Sequence, residues 1–138
     1  MGSEEEPVAW LRAAILERKA MALAAGDDDA ARAWTGRDHG YEDGGEVHDG
    51  HDEQVVYDEG SPNTAQALHI ALNDPQDTIA RCEAELAILD EHGGEHMCFE
   101  NTHDGNTWSW YIGDCRNMLR LASSYKHWPG YQEEDWKP

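Results

Sequence analysis

Residues 74–94 read DPQDTIARCEAELAILDEHGG, and this stretch decides the fold. Asp74 is a favourable N-cap, Pro75 fits the first helical position, and the Gly93-Gly94 pair stops a helix. Apolar residues recur on one face at helical spacing: Ile79, Cys82, Leu86 and Leu89. The stretch therefore predicts a long amphipathic helix that packs against other elements of the chain.

Further helices are predicted on either side of this one. Residues 3–25 begin with a Ser3 and Glu6 capping-box pattern and are rich in Ala. Residues 61–72 and a last segment capped by Asp114 also carry apolar residues at helical steps. The positions expected to point inward in these two helices are Ala65, Leu68, Leu72, Cys115, Met118, Leu119 and Ala122.

Strand signals are short and few. Val55–Tyr57 is β-branched and aromatic, and Trp108–Ile112 alternates within an otherwise irregular stretch over 93–112. Residues 36–53 are interpreted as an acidic loop rich in Gly and His, with short strands around Tyr41 and Val47 as the alternative. The Val55–Tyr57 strand is expected to pair with Trp34 or Val47. These patterns predict an α+β fold, with three or four helices packed on a small antiparallel sheet and residues 1–138 forming a single small domain.

The chain is strongly acidic, with 29 Asp and Glu against 10 Lys and Arg and a formal net charge of −19. A field of this sign repels phosphate backbones, so it disfavours direct nucleic-acid binding and favours a protein partner with a basic surface. About one residue in seven is Val, Ile, Leu or Phe, but six Trp and five Tyr indicate a folded chain with a lean core. A protein with such a core gains stability from a bound metal, a partner or another subunit.

Cysteine usage and the N-terminal sequence indicate a cytoplasmic protein. The three cysteines are an odd set, and the acidic N-terminus lacks the apolar stretch of a secretory signal. No apolar run is long enough to cross a membrane. The thiols are therefore expected to be reduced, and Cys82, in the apolar stripe of the long helix, is expected to be inert core.

Histidine and cysteine residues in the last third of the chain form a candidate metal site. Its predicted ligands are His92, His96, Cys98 and Cys115, with His103 as a spare. Two helix ends and the segment between them would bring these residues to one point, as a structural zinc site requires. The spacing H-x3-H-x-C-x16-C is not that of a standard zinc finger, and the alternative is a core cysteine with solvated histidines.

Two other histidine features carry a structural interpretation. The run His48-Asp49-Gly50-His51-Asp52 is interpreted as a solvated acidic loop, because the chain is too short for the scaffold and distant ligands of a metallohydrolase. His69, between Leu68 and Ile70, is interpreted as a packed helix residue. The sequence contains no nucleophile elbow, phosphate-binding loop or dinucleotide fingerprint.

Three segments match a known pattern as a set: QVVYDEGSPNTAQALHIALNDPQDTIARCEAELAILDEH, CRNMLRLASSYKHWPGY and the closing EEDW. The motifs within them are A-x-H-I-A at Ala67–Ala71, the Asp74-Pro75 break, the helix end at Ile88–His92, and the helix Cys115–Ala122. Together they resemble a family of small uncharacterised proteins found in actinobacteria and their phages. The resemblance covers about residues 54–138.

This resemblance implies a phage or prophage accessory protein acting in a bacterial cytoplasm, and it supplies no activity. Many members carry a C-x-x-C pair after the long helix, of which only Cys98 is present here. The tail also has Trp128 between His127 and Pro129, where the pattern has His directly before Pro. The missing cysteine is consistent with a histidine ligand in its place or with a decayed metal site.

The expected function is non-enzymatic binding of a host or phage protein through the acidic surface. The candidate aromatic anchors are Trp34, Trp108, Trp110 and Trp128. The first alternative is a DNA-mimic inhibitor of a nucleic-acid-binding protein. The second is a small zinc-dependent enzyme, which is disfavoured because no recognisable base accompanies an open metal position. The sequence does not indicate an oligomeric state.

Overall fold

A computed structural model of the protein describes residues 7–38, 40, 44–56, 62–102 and 105–138. Over these ranges the elements are α1 (Pro7–Ala24), α2 (Asp29–Arg32), β1 (Thr35–Asp38), β2 (Gly45–His48), α3 (Thr64–Leu72), α4 (Pro75–His92), β3 (Glu95–Thr102), β4 (Gly105–Ile112) and α5 (Arg116–Ser123). The α+β prediction is confirmed. The described strands form two separate two-stranded sheets, β1-β2 and β3-β4, where one sheet was expected.

Contacts divide the chain into two compact units. The first unit comprises Met1–Glu17 and Glu83–Pro138, and the second unit comprises Arg18–Cys82. The boundaries fall within α1 and α4, so each of these helices contributes residues to both units. The expectation of a single small domain stays a prediction. No helix in the described ranges combines the length and apolar character that a membrane span requires.

The first unit holds its aromatic C-terminal tail on α1 through Trp10. The indole Nε1 of Trp10 donates a hydrogen bond to the carbonyl of Pro129 at 3.0 Å. Its ring centroid lies 5.7 Å from that of Tyr131 and 5.0 Å from that of Trp136. Gly130 has φ 92°, and a Cβ there would lie 2.7 Å from the Trp10 Nε1. Glycine is therefore required where the tail meets the indole.

The buried side chains of the first unit come from α1, α4 and α5. They are Trp10, Leu11, Ala14, Ile15, Leu89, Met118 and Ala122, joined by Cys98, Cys115, Tyr125 and Trp136. Met118 and Ala122 are buried as the spacing of the last helix predicts. The N-cap of α5 is Cys115, whereas Asp114 was predicted to cap it.

The β3-β4 hairpin occupies most of the stretch that was predicted to be irregular. Its antiparallel register runs from Glu95 opposite Ile112 to Thr102 opposite Gly105. The strand expected at Trp108–Ile112 is therefore the end of a longer β4. The prediction missed β3 because its inward positions carry polar or small side chains, which hide the two-residue alternation.

In the second unit, α3 packs on the β1-β2 sheet at very short range. A Cβ at Gly36 would lie 2.7 Å from the Ala67 carbonyl oxygen, and one at Gly45 would lie 2.5 Å from the Ala67 Cβ. Ala67 is fully buried, whereas Leu68 and Leu72 are 53% and 68% exposed. The predicted inward face of this helix was therefore wrong, because a glycine-lined sheet accepts a small residue there.

The strand predicted at Val55–Tyr57 is not formed by its described residues. Val55 and Val56 lie in a bend, although the Val55 N–H donates to the Val47 carbonyl at 2.8 Å. Tyr41 and Tyr57 lie outside the described residues. The alternative of a short strand around Val47 is confirmed by β2, whose partner is β1; residues 36–38 of β1 lie in the segment interpreted as loop. The β1 sequence TGRD is a weak strand former, so tertiary packing decides its conformation.

Candidate metal site

Four potential metal ligands of the first unit meet at the junction of α4, β3 and α5. His92 is the last residue of α4, and Cys115 is the N-cap of α5. His96 and Cys98 are two residues apart on β3, so both side chains point to the same face of the hairpin. These are the four residues that the sequence predicted, and they form the one group in the described ranges that could hold a metal ion.

The donor atoms of the cluster lie close enough to share one ion. All four lie within 4.8 Å of one another. The Nδ1 of His92 is 3.2 Å from the Nε2 of His96 and 3.1 Å from the Sγ of Cys98. The Nε2 of His96 is 2.9 Å from the Cys98 Sγ, and the Cys115 Sγ is 3.6 Å from the His92 Nδ1.

The separations of 2.9–3.6 Å between these atoms are close to those of tetrahedral coordination, and three of the four are slightly shorter. Zinc with Zn–N bonds of about 2.0 Å and Zn–S bonds of about 2.3 Å places its ligand atoms about 3.3–3.8 Å apart. The His92 Nδ1 faces three potential ligand atoms, those of His96, Cys98 and Cys115, and carries at most one hydrogen. A cation at the centre would be shared by all four lone pairs.

The backbone supports the orientation of His96. Its Nδ1 lies 2.7 Å from the carbonyl oxygen of Gly94, which can only accept a hydrogen bond. The proton is therefore placed on Nδ1, and the Nε2 lone pair faces the cluster. The sequence could not predict this hydrogen bond, because every residue has a backbone carbonyl.

The two cysteines of the cluster are buried and the two histidines are half-buried. Burial, reinforced by the neighbouring Cys115 thiol, raises the pKa of the Cys98 thiol to about 11. A metal-free Cys98 is thus protonated at neutral pH and unreactive as a nucleophile. A bound metal would displace that proton, because the thiolate is the ligand.

A cavity of about 220 Å³ adjoins the cluster at Cys98. The other side chains on its wall are Phe99, Glu100, Arg116, Asn117 and Arg120. Cys98 is the single cluster residue on this wall. With four protein donors, tetrahedral zinc would keep no free position facing the cavity.

The His48–Asp52 run of the second unit forms a hydrogen-bonded turn whose histidines pair with separate carboxylates. The Nε2 of His48 lies 2.8 Å from the Glu46 carboxylate, and the Nε2 of His51 lies 2.9 Å from that of Asp28. Asp52 pairs with Arg37 at 2.6 Å. The two imidazoles therefore do not converge on a common centre.

The remaining candidate residues are dispersed. His69 is exposed on α3, so the prediction that it is packed was wrong. Trp34 and Trp128 are half-buried, whereas Trp108 and Trp110 are 63% and 58% exposed. His103 lies outside the described residues.

Comparison with known proteins places the chain in a family. Residues 4–138 match the model of a family of unknown function, DUF6221, and the chain belongs to that family. No curated protein and no solved structure matches it. The features of the chain that bear on function are the geometry of the cluster and the net charge.

Proposed function

We propose that this protein is a non-enzymatic phage or prophage accessory protein that binds a basic protein partner in the bacterial cytoplasm and is stabilised by a structural zinc ion. The observation that carries the zinc part of the proposal is the convergence of His92, His96, Cys98 and Cys115, whose ligand atoms lie within 4.8 Å of one another. The partner part depends on the net charge of −19. The resemblance to proteins of actinobacteria and their phages supports the biological setting.

The donor set favours zinc and disfavours magnesium and calcium. Two imidazole nitrogens and two thiol sulfurs in tetrahedral proximity are typical of zinc, whereas magnesium and calcium take oxygen ligands. Four protein ligands make a closed, structural site, since catalytic zinc keeps one position for water or substrate. This chemistry supports the non-enzymatic assignment.

The charge of the chain supports a basic partner. A net charge of −19 on 138 residues produces an anionic field that accelerates association with a cationic surface and opposes association with phosphate backbones. In the second unit, Asp28 and Asp52 already pair with His51 and Arg37. With nearly three acidic residues for each basic one, such internal pairs leave a large excess of negative charge.

Zinc content tests the metal proposal. Protein produced with supplementary zinc is expected to carry one zinc per chain by elemental analysis. Cys115→Ser removes one ligand and is expected to lose most of the zinc. Cys82→Ala, a matched change at a buried cysteine outside the cluster, is expected to keep it. A metal-free wild type, or full occupancy in Cys115→Ser, would disprove the site.

Salt dependence tests the partner proposal. The tagged protein should capture a cytoplasmic protein with a basic surface, and the complex should weaken as ionic strength rises, since screening shortens the range of its attraction. Capture that is indifferent to salt would contradict an electrostatic interface. Competition between the protein and duplex DNA for the captured partner would identify the DNA-mimic alternative. Turnover of a small molecule would contradict the non-enzymatic assignment.

A further inference from the structure

The β3-β4 hairpin has two faces of opposite character. Side chains of directly paired residues point to the same side of a sheet, and the register pairs Met97 with Trp110 and Phe99 with Trp108. One face carries His96 and Cys98 of the metal cluster. The opposite side is here called the outer face and comprises Glu95, Met97, Phe99, Trp108, Trp110 and Ile112, with Asn106 at its turn end.

The outer face is apolar and uncovered. Its five apolar side chains are between 51% and 68% exposed. The rings of Phe99 and Trp108 contact each other across the strands, with centroids 5.2 Å apart. A contiguous apolar patch of this kind marks an interaction surface, since single scattered apolar residues are the normal case on a monomer.

We propose that the outer face is the interface of a homodimer, in which the outer faces of two copies of this chain pack against each other. The charge on the face favours a second copy over the basic partner. Glu95 is the one ionisable residue of the outer face, and its carboxylate accepts a hydrogen bond from the Trp110 Nε1 at 3.0 Å. The face therefore offers a lysine-rich surface little to pair with.

The exposed area of the outer face is a large share of what a self-complementary interface requires. An aromatic side chain buries roughly 150–250 Å². Five large side chains at half to two-thirds exposure thus offer on the order of 500 Å², a large share of the ~800 Å² per partner in a standard interface. A two-fold axis brings the same patch from both copies together, and two-fold dimers are the commonest oligomers.

The response to salt distinguishes this interface from the one proposed for the basic partner. Two chains of net charge −19 repel each other, so the apolar contact must overcome that repulsion. Added salt screens the repulsion between the two chains and should therefore strengthen the dimer. A complex with a basic protein should weaken under the same change. The dimer proposal requires neither the zinc ion nor the basic partner.

Sedimentation equilibrium of the zinc-supplemented full chain tests the proposal, with protein concentration and sodium chloride varied independently. A species of twice the 15.5 kDa chain mass is expected at high concentration, in a proportion that rises with salt. Trp108→Lys places like charges at the interface and should raise the dimer dissociation constant by more than about tenfold, a loss of about 1.4 kcal/mol. Ile112→Lys is a second variant with the same expectation.

The matched control is Leu68→Lys, which changes an exposed apolar residue of the second unit and should leave the dimer unchanged. Circular dichroism verifies that each variant is folded. A monomer at every concentration and salt, a dimer that salt weakens, or a dimer unchanged by both hairpin variants would overturn the proposal. A monomer that still binds zinc and captures its basic partner would overturn this inference alone.

Discussion

Asp28 shows how one carboxylate can have two structural roles. It is the N-cap of α2 and accepts a hydrogen bond from the Ala31 N–H at 2.7 Å, and it also pairs with the His51 ring. The bond from the Ala31 backbone, with the one from His51, holds the pKa of Asp28 below its ordinary value. The hydrogen bond and negative charge of Asp28 in turn raise the pKa of His51.

Asp28→Asn separates these two roles, because asparagine caps helices as well as aspartate does but carries no charge. The pKa of His51, followed by NMR titration, should fall toward the ordinary histidine value. The raised pKa of His48 depends first on its hydrogen bond to Glu46, so this residue is the internal control and should not change. An unchanged His51 would show that the pair is not populated in solution.

The same variant has a stability signature with a definite sign. A raised folded-state pKa means that His51 contributes its full stabilisation below the unfolded pKa of about 6.5 and loses it as the pH rises through the folded value. Unfolding of wild type and Asp28→Asn should therefore differ most in mildly acidic solution, where Asp28 is ionised and His51 protonated. The difference should shrink toward alkaline pH. A difference in unfolding free energy between the two proteins that grows with rising pH would contradict the Asp28–His51 pair.

The cluster residues could be named from the sequence because their chemistry is rare and their spacing is local. His92, His96 and Cys98 lie within seven residues, and the i, i+2 step puts His96 and Cys98 on one face of any strand. Cys115 was placed correctly once a helix was predicted to start there. The Asp28–His51 pair could not be found in this way, since 23 residues separate its members and the acidic chain offers many carboxylates.

At the scale of elements, the approach of α3 to the β1-β2 sheet depends on Gly36. Gly36→Ala would place a Cβ 2.7 Å from the Ala67 carbonyl oxygen, against backbone that cannot move aside without shifting the helix. Overpacking of this kind should destabilise the protein by about 1–3 kcal/mol. Urea unfolding followed by circular dichroism measures the change.

Gly94→Ala is the matched control for this change, because a Cβ at Gly94 meets nothing within 4 Å. Its effect should lie within about 0.5 kcal/mol, as for other surface substitutions. If both variants lost the same free energy of unfolding, the destabilisation would come from replacing glycine in general. The close packing of α3 on the sheet would then not be the cause.

The long helices were predictable and the strands were predictable only in part, for a physical reason. α4 carries its own cap, a first-turn proline and a regular apolar stripe, so local signals suffice. The inward face of α3 depends on Gly36 and Gly45, which lie 31 and 22 residues before Ala67. The strand β3 depends on a partner strand and on a polar cluster on its inner side. Such elements take their conformation from contacts that no local pattern reports.

At the scale of the whole molecule, a lean core and a large negative charge both indicate that the fold needs stabilisation beyond its apolar core. Charge repulsion destabilises a compact chain, and few Val, Ile, Leu and Phe side chains are available to oppose it. A zinc ion would add a cross-link between α4, β3 and α5, and it would neutralise charge on two thiolates. A homodimer would bury the remaining apolar face of the hairpin.

Removal of the metal should therefore lower the stability of the whole chain. Since zinc binds the four assembled ligands and more weakly the unfolded chain, the free energy of unfolding should rise by about 1.4 kcal/mol for each tenfold increase in free zinc above saturation. Urea unfolding in zinc buffers measures this slope, and chelation should give the lowest midpoint. Cys82→Ala should keep the slope, whereas Cys115→Ser should flatten it. A wild-type midpoint that does not respond to free zinc would show that the ion does not stabilise the fold.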